Sequence, residues 1–149
     1  MQKISKPVAT LFFIGYTPLA PGTLASLLAV GVYLIVRNNL SLYLFCTLFF
    51  LILGFWASSR AEGEFDRKDP QQIVIDEFAS TMIVYIFIPF GIKFLVTGFL
   101  LYRIFDIFKI PPIKKIETLP RGYGIMLDDV AAAILANILL QLFVFFRPF

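Results

Sequence analysis

Residues 38–59 read NNLSLYLFCTLFFLILGFWASS, 22 consecutive positions without a charged side chain. A bilayer crossing takes about 20 predominantly apolar residues, so this stretch predicts a membrane-spanning helix. The whole chain agrees with it. Of 149 residues, 59% are hydrophobic and 15% charged, with a mean hydropathy of +0.85, against roughly 45–50% and about 25% for an average soluble domain. A soluble core of this size cannot bury so much Phe, Leu and Ile, so lipid is the expected solvent for much of the surface. The expectation is one integral-membrane helical domain over residues 1–149.

Upstream, residues 7–36 are uncharged, but Thr17-Pro18-Leu19-Ala20-Pro21-Gly22 divides them into a short lead-in segment and a helix over 24–36, with Thr23 placed to cap it. Downstream, residues 60–72 hold Glu62, Glu64, Asp66, Arg67, Lys68 and Asp69, which predicts a water-exposed loop or helix extension. From 78 to 102 only Lys93 is charged, and Pro89 with Gly91 predicts a turn between helices over 76–88 and 92–108. A basic, proline-containing connection over 109–123 leads to a last helix over 125–146. The helices over 24–36 and 76–88 have about 13 residues each, roughly 20 Å, short of the roughly 30 Å hydrocarbon core. The fold class is therefore all-α, a polytopic membrane bundle of about four to five helices, some short or re-entrant.

Charge sets the orientation. If the N-terminus is cytoplasmic and each stretch crosses once, Lys3, Lys6, Arg60, Arg67, Lys68, Arg103, Lys109, Lys114, Lys115 and Arg121 lie inside, and only Arg37, Lys93 and Arg147 outside. The positive-inside rule supports that assignment. All ten acidic residues then fall on the cytoplasmic side, where a polar site is expected. Residues 1–6 are short and basic, but the apolar stretch after them runs into Pro18, Pro21 and Gly22 rather than a small-residue cleavage site, so no removable signal peptide is expected.

Absences narrow the chemistry. There is no histidine, which removes His-dependent acid–base chemistry and His-ligated metal sites. The single cysteine, Cys46, lies in an apolar run and offers neither a disulfide nor a metal cluster. A net charge of +3 without a basic stripe excludes a nucleic-acid partner. Carboxylates, hydroxyls, Lys, Arg and a bound metal remain.

Five acids sit at helix ends: Asp76, Glu77, Asp106, Asp128 and Asp129. Acids at helix N-termini complement the macrodipole, which accounts for all of these except Asp106, near a helix C-terminus. Carboxylates converging from three helices repel one another unless a cation joins them, and an all-oxygen ligand set points to Mg²⁺. Arg103, Asp106 and Lys109 are spaced by three and share a helix face. That spacing is either a salt-bridge ladder or a pair of cations for an anionic substrate. Arg103 lies in an apolar run, which favours the second, and Arg suits bidentate phosphate binding. Gly22, Thr23 and Ser26 lie at the start of a helix, where free amides favour an anion. Gly122-Tyr123-Gly124 is a turn that would also allow a backbone to approach a ligand.

Four blocks in this order and spacing resemble the phosphatidylglycerophosphatase A family of bacterial membrane lipid phosphatases. They are Gly15-Tyr16-Thr17-Pro18-Leu19-Ala20-Pro21-Gly22-Thr23-Leu24-Ala25-Ser26, Ile75-Asp76-Glu77-Phe78, Arg103-Ile104-Phe105-Asp106-Ile107-Phe108-Lys109 with Pro112-Ile113, and Gly124-Ile125-Met126-Leu127-Asp128-Asp129. The resemblance runs from Gly15 to about Ala133. The family usually has Gly where this chain has Ala25, Ser80 and Ala133, and Pro where it has Ile110; none of these departures removes an acid, Arg103 or Lys109. The resemblance implies Mg²⁺-dependent hydrolysis of the terminal phosphate of phosphatidylglycerophosphate, giving phosphatidylglycerol and phosphate, in the bacterial cytoplasmic membrane with the site facing the cytoplasm. In that setting Asp76, Glu77, Asp106, Asp128 and Asp129 are the expected metal ligands, and Asp76, Glu77 and Asp129 the expected catalytic groups. Glu77 is a ligand or the base that activates water, and Arg103, Lys109, Gly22, Thr23 and Ser26 bind the substrate phosphate.

Other phosphatase chemistries fit poorly: a Cys-based loop would need Arg at position 52, which is Ile52, and there is no Asp-x-Asp-x-Thr motif. The competing class is a small cation transporter or channel using the same carboxylates, although charges on one side do not mark a path across a bilayer. A purely structural membrane subunit would leave the clustered acids unexplained. A homo-oligomer stays open, because lipid-facing and helix-pairing surfaces look alike.

Overall fold

A computed structural model describes residues 2–65, 70–120 and 122–146. Among them lie seven helices and no strand: α1 Gln2–Ala9, α2 Pro21–Val36, α3 Leu40–Ala61, α4 Ile75–Val84, α5 Ile92–Phe108, α6 Pro111–Ile116 and α7 Tyr123–Phe145, with 3-10 turns at Ile14–Tyr16 and Glu62–Glu64. The five expected helices are all present. Two short ones add to them: α1, which runs from the basic N-terminal residues into the lead-in segment, and α6 in the connection, where prolines in the first turn lose no helical hydrogen bond. Of the charges sorted between membrane faces, Lys3, Asp66, Arg67, Lys68, Asp69, Arg121 and Arg147 lie outside the described side chains.

Two helices are long and apolar enough to cross a membrane, in Leu40–Glu64 and Tyr123–Phe145. Only 22% and 33% of their most apolar windows are buried, whereas the core helix of a soluble protein is mostly buried. Phe45, Leu48, Phe49 and Ile52 of α3 and Ile134, Ile138 and Leu142 of α7 are all exposed, a surface suited to lipid. α3 starts where the Asn39 side chain accepts a hydrogen bond from the Leu42 amide at 3.1 Å, a side-chain N-cap.

Three helix boundaries that bear on the site differ from expectation. α2 begins at Pro21, with Ala20 in a left-handed conformation (φ 42°) before it, so Thr23 lies inside the first turn and caps nothing. α7 begins at Tyr123, after Gly122 at φ 69°. Asp128 and Asp129 thus lie beyond its first turn, and the dipole does not account for them. α4 stops at Val84, four residues early.

That early stop places the centre of the fold. α4 packs against α2, α3 and α7 and touches α5, and every residue in it except Glu77 and Ile83 is buried. Its ten residues span about 15 Å, so it ends within the bundle, where its last carbonyls are shielded from water and need partners from the protein. Side chains supply them. Tyr43 of α3 donates its hydroxyl to the Met82 carbonyl. The Asn137 amide of α7 donates to the Val84 and Ile86 carbonyls at 2.8 and 2.9 Å. The segment before α4 is also held: the Val74 amide donates to the Ala9 carbonyl at 2.9 Å, and Gly15 lies so close to the Gln72 carbonyl that a Cβ would stand 1.9 Å from it. Pro70, Ile73 and Val74 are buried, so the polar stretch expected in water is anchored at its end. Ala25, Ser80 and Ala133 are fully buried as well.

Asn137→Leu keeps a similar volume but strands the Val84 and Ile86 carbonyls. It is expected to cost about 1–3 kcal/mol for each carbonyl left unpaired, seen as a lower thermal midpoint in detergent by Trp56 fluorescence.

Candidate active site

The start of α2, the loop before α4, the first turn of α4, the end of α5 and the first half of α7 surround a cavity of about 390 Å³. Asp76, Glu77, Arg103, Asp106, Lys109, Asp128 and Asp129 all line it, with Gly22 and the rim residues Pro18, Ala20 and Pro21. Sequence spacing alone had grouped these acids and cations at one level, and the bundle brings every one of them to one wall or another. Thr23 and Ser26 are not among the lining residues. Ser26 is fully buried and donates its hydroxyl back to the Gly22 carbonyl at 3.0 Å, so it is occupied within its own helix.

The cations are already paired. Arg103 meets Asp106 at 2.6 Å, the i,i+3 contact that their spacing predicts. Lys109 sits in the left-handed region (φ 35°) at the end of α5, which turns the chain and sends its ammonium to Asp128 at 2.6 Å and Glu117 at 3.4 Å. Asp128 also accepts from the Asp129 amide at 3.0 Å. The Arg103 Nε is buried without a hydrogen-bond partner, a donor facing no acceptor of the described residues.

The remaining three acids come together beside these pairs. Asp76, Glu77 and Asp129 each offer one carboxylate oxygen, and the three lie within 4.8 Å of one another. Asp76 Oδ1 and Glu77 Oε2 are buried and without hydrogen-bond partners. Carboxylates this close, away from water, repel unless a cation or proton joins them. The all-oxygen donor set, with two orphaned oxygens, fits a hard divalent cation. Asp106 and Asp128 face the same cavity but are engaged by Arg103 and Lys109.

One residue and one contact escaped the sequence reading. Tyr102, fully buried, donates its hydroxyl to Asp129 Oδ2 at 3.0 Å. A Tyr beside Arg103, where a Phe-rich chain could have carried Phe, was the available signal. Gly22 was expected to approach a ligand, yet what approaches it is a side chain: a Cβ there would stand 2.1 Å from Glu77 Oε1. The first turn of α2 thus abuts the Glu77 carboxylate, and the positive end of that helix faces it. Gly122 and Gly124 serve the turn: added Cβ atoms would meet the Ser58 backbone at 2.6 Å and the Glu117 carbonyl at 2.5 Å, and neither lines the cavity.

The sequence matches the family model described as Phosphatidylglycerophosphatase A over residues 7–144, a span that holds every acid and cation of the cavity. The chain belongs to the phosphatidylglycerophosphatase A family. It is therefore a phosphatase, a phosphoric monoester hydrolase. A Haemophilus influenzae protein named phosphatidylglycerophosphatase A is 37% identical over 123 residues, 80% of this chain and 76% of that one. The Escherichia coli protein of the same name is 29% identical over 140 residues, 90% and 81% of the two chains. A Bacteroides thetaiotaomicron protein provisionally named a phosphatidylinositol-3-phosphatase is 32% identical over 142 residues, 89% of each. No solved structure matches significantly.

For this phosphatidylglycerophosphatase A family member, Gly22→Ala is expected to push the Glu77 carboxylate aside and to cost about 1–3 kcal/mol. Gly31→Ala on the same helix, where a Cβ meets nothing within 4 Å, should leave the thermal midpoint level or higher.

Proposed function

We propose that the protein is a Mg²⁺-dependent phosphatidylglycerophosphate phosphatase that releases the terminal phosphate and leaves phosphatidylglycerol. The observation that carries this reading is the single cavity in which Asp76, Glu77 and Asp129 stand together with Arg103 and Lys109. The names of two relatives supply the substrate. The cation-transporter alternative is not favoured, because the family is one of phosphatases.

In this reading Asp76, Glu77 and Asp129 would hold the metal, and Mg²⁺ when bound supplies Lewis acidity toward a phosphoryl oxygen and toward water. Arg103 offers its free Nε and Lys109 its ammonium to the other phosphoryl oxygens, whose charge shifts as the phosphorus–oxygen bond breaks. Asp106 and Asp128 hold those two cations at the cavity wall. Glu77, with an oxygen unpaired, takes the proton of the attacking water, and Tyr102 fixes the Asp129 carboxylate. Asp76 and Asp129 are buried, which strengthens their interactions relative to bulk water.

The same proposal places the chain as one integral-membrane helical unit in the bacterial inner membrane. α2, α3, α4, α5 and α7 are embedded, and the cavity opens to the cytoplasmic leaflet. Support for that sidedness comes from ten of the thirteen basic residues falling on one side of the expected topology. The lipid substrate and surrounding membrane lipids are the partners.

Phosphate release by detergent-purified protein tests the reading, with Mg²⁺ and with chelator, on phosphatidylglycerophosphate, phosphatidic acid and phosphatidylinositol 3-phosphate. Release is expected only with metal and chiefly from the first. Undiminished release in chelator removes the metal, and none from folded protein removes the phosphatase. Glu77→Gln is expected to lower the rate about 10²–10⁴-fold with little change in thermal midpoint.

A further inference from the structure

The outer face of α2 carries a groove that the phosphate chemistry leaves unused. Leu24, Leu27, Leu28 and Gly31 of α2 line it together with Ile14 and Thr17, and it encloses about 380 Å³. Positions 24, 27, 28 and 31 recur at three- and four-residue spacing and so lie along one helix face. Gly31 keeps the far end open, since a Cβ there would meet no atom within 4 Å. Along the chain both walls adjoin residues that line the rim of the active-site cavity. Thr17 is followed directly by Pro18, and Leu24 lies within one turn of Pro21 and Gly22; Pro18, Pro21 and Gly22 all line the cavity. From Gly22 to Gly31 the helix rises about 13 Å. Phe13, Tyr16 and Leu19, along the same stretch as the outer wall, are exposed, so the groove lies beside a surface suited to lipid.

The groove and the cavity together match one kind of molecule. The groove is uncharged and the cavity whose rim it adjoins carries Arg103 and Lys109, a pairing that suits an amphiphile with an anionic head and an alkyl tail. A second transmembrane helix laid in the groove would run its backbone into that charged cavity, where its apolar side chains find no match.

We propose that the groove holds one acyl chain of the substrate lipid, and so selects a phosphomonoester carried on a membrane-embedded anchor over the same headgroup free in water. This rests on the reading of the cavity as a lipid-phosphomonoester site. Gly31 then acts as a specificity position, because the absence of a side chain there is what leaves the chain its path.

The test compares wild type, Gly31→Ala and Gly31→Phe in mixed micelles on long-chain phosphatidylglycerophosphate and on its deacylated headgroup. The Phe ring is expected to raise KM for the long-chain lipid by about fourfold for each methylene it displaces, with kcat and hydrolysis of the deacylated headgroup unchanged. Gly31→Ala should show a smaller effect in the same direction. Equal changes on both substrates, or none, in a variant that keeps the wild-type thermal midpoint would overturn the proposal. Absence of release from both substrates by wild type would instead remove the underlying phosphatase reading. A second measurement needs no variant: a phosphomonoester lipid with a photoreactive group on its acyl chain should label the peptide bearing Leu27 and Leu28. Excess substrate should suppress that labelling and excess phosphatidylcholine should not. Equal suppression by both assigns the groove to bulk lipid and sinks the idea.

Discussion

Two adjacent carboxylates, Asp76 and Glu77, stand in the first turn of a ten-residue helix that is buried on nearly every side. Much of the architecture answers that one constraint. Taking two acids out of water is costly unless opposite charge or donors are near. The fold sets two helix N-termini beside them, that of α4 itself and that of α2. It closes the cavity with Arg103 and Lys109. It then adds a third acid, Asp129, which makes the electrostatics worse rather than better. A fold selected for stability alone would not place Asp129 there, whereas a fold that binds a cation needs such a ligand.

The apolar surroundings explain how so short a helix survives. In lipid an unpaired carbonyl costs several kcal/mol, and a helix that ends inside the bundle exposes its last carbonyls. Tyr43 and Asn137 reach these from α3 and α7, the two helices long enough to cross the membrane. The long helices therefore do two jobs: their outer faces present an apolar surface suited to lipid, and their inner polar side chains let α4 stop early. That stop leaves Asp76 and Glu77 at the end of the bundle where Arg103, Lys109, Asp128 and Asp129 also lie.

Most of the element order was legible because it rests on long uncharged runs. α5 matched its expected bounds, and α3 and α7 fell within two residues of theirs at every end. What escaped was set by distant contacts. Nothing local in residues 85–88 ends α4, since the groups that satisfy its carbonyls lie some forty residues before and fifty after. Thr23 looked like a cap because Thr often is one, but Pro21 already suits the first helical turn and moved the boundary upstream. For the site, charged residues were legible because charge within apolar sequence is conspicuous. Their partition was not: only the packed bundle shows that Asp106 and Asp128 are matched to cations while Asp76, Glu77 and Asp129 draw together. Tyr102 and the contact of Gly22 with Glu77 are invisible to spacing for the same reason.

The backbone around the cavity carries a further mark of this partition. Lys109 and Ala20, both cavity residues, adopt left-handed conformations that L side chains disfavour by roughly 1–2 kcal/mol. At the end of a helix that conformation normally falls to Gly. A Gly at 109 would relieve the strain but remove the ammonium, and with it the partner of the nearly buried Asp128. A regular helical conformation would keep the ammonium but send the chain onward from α5, away from the turn into α6 that brings Glu117 to Lys109. The strained residue is thus the one that meets both requirements. Strain of this kind persists where surrounding contacts over-determine a residue. Here those contacts are ion pairs that keep a cation at the cavity wall, beside three acids that have no ion-pair partner among the described residues.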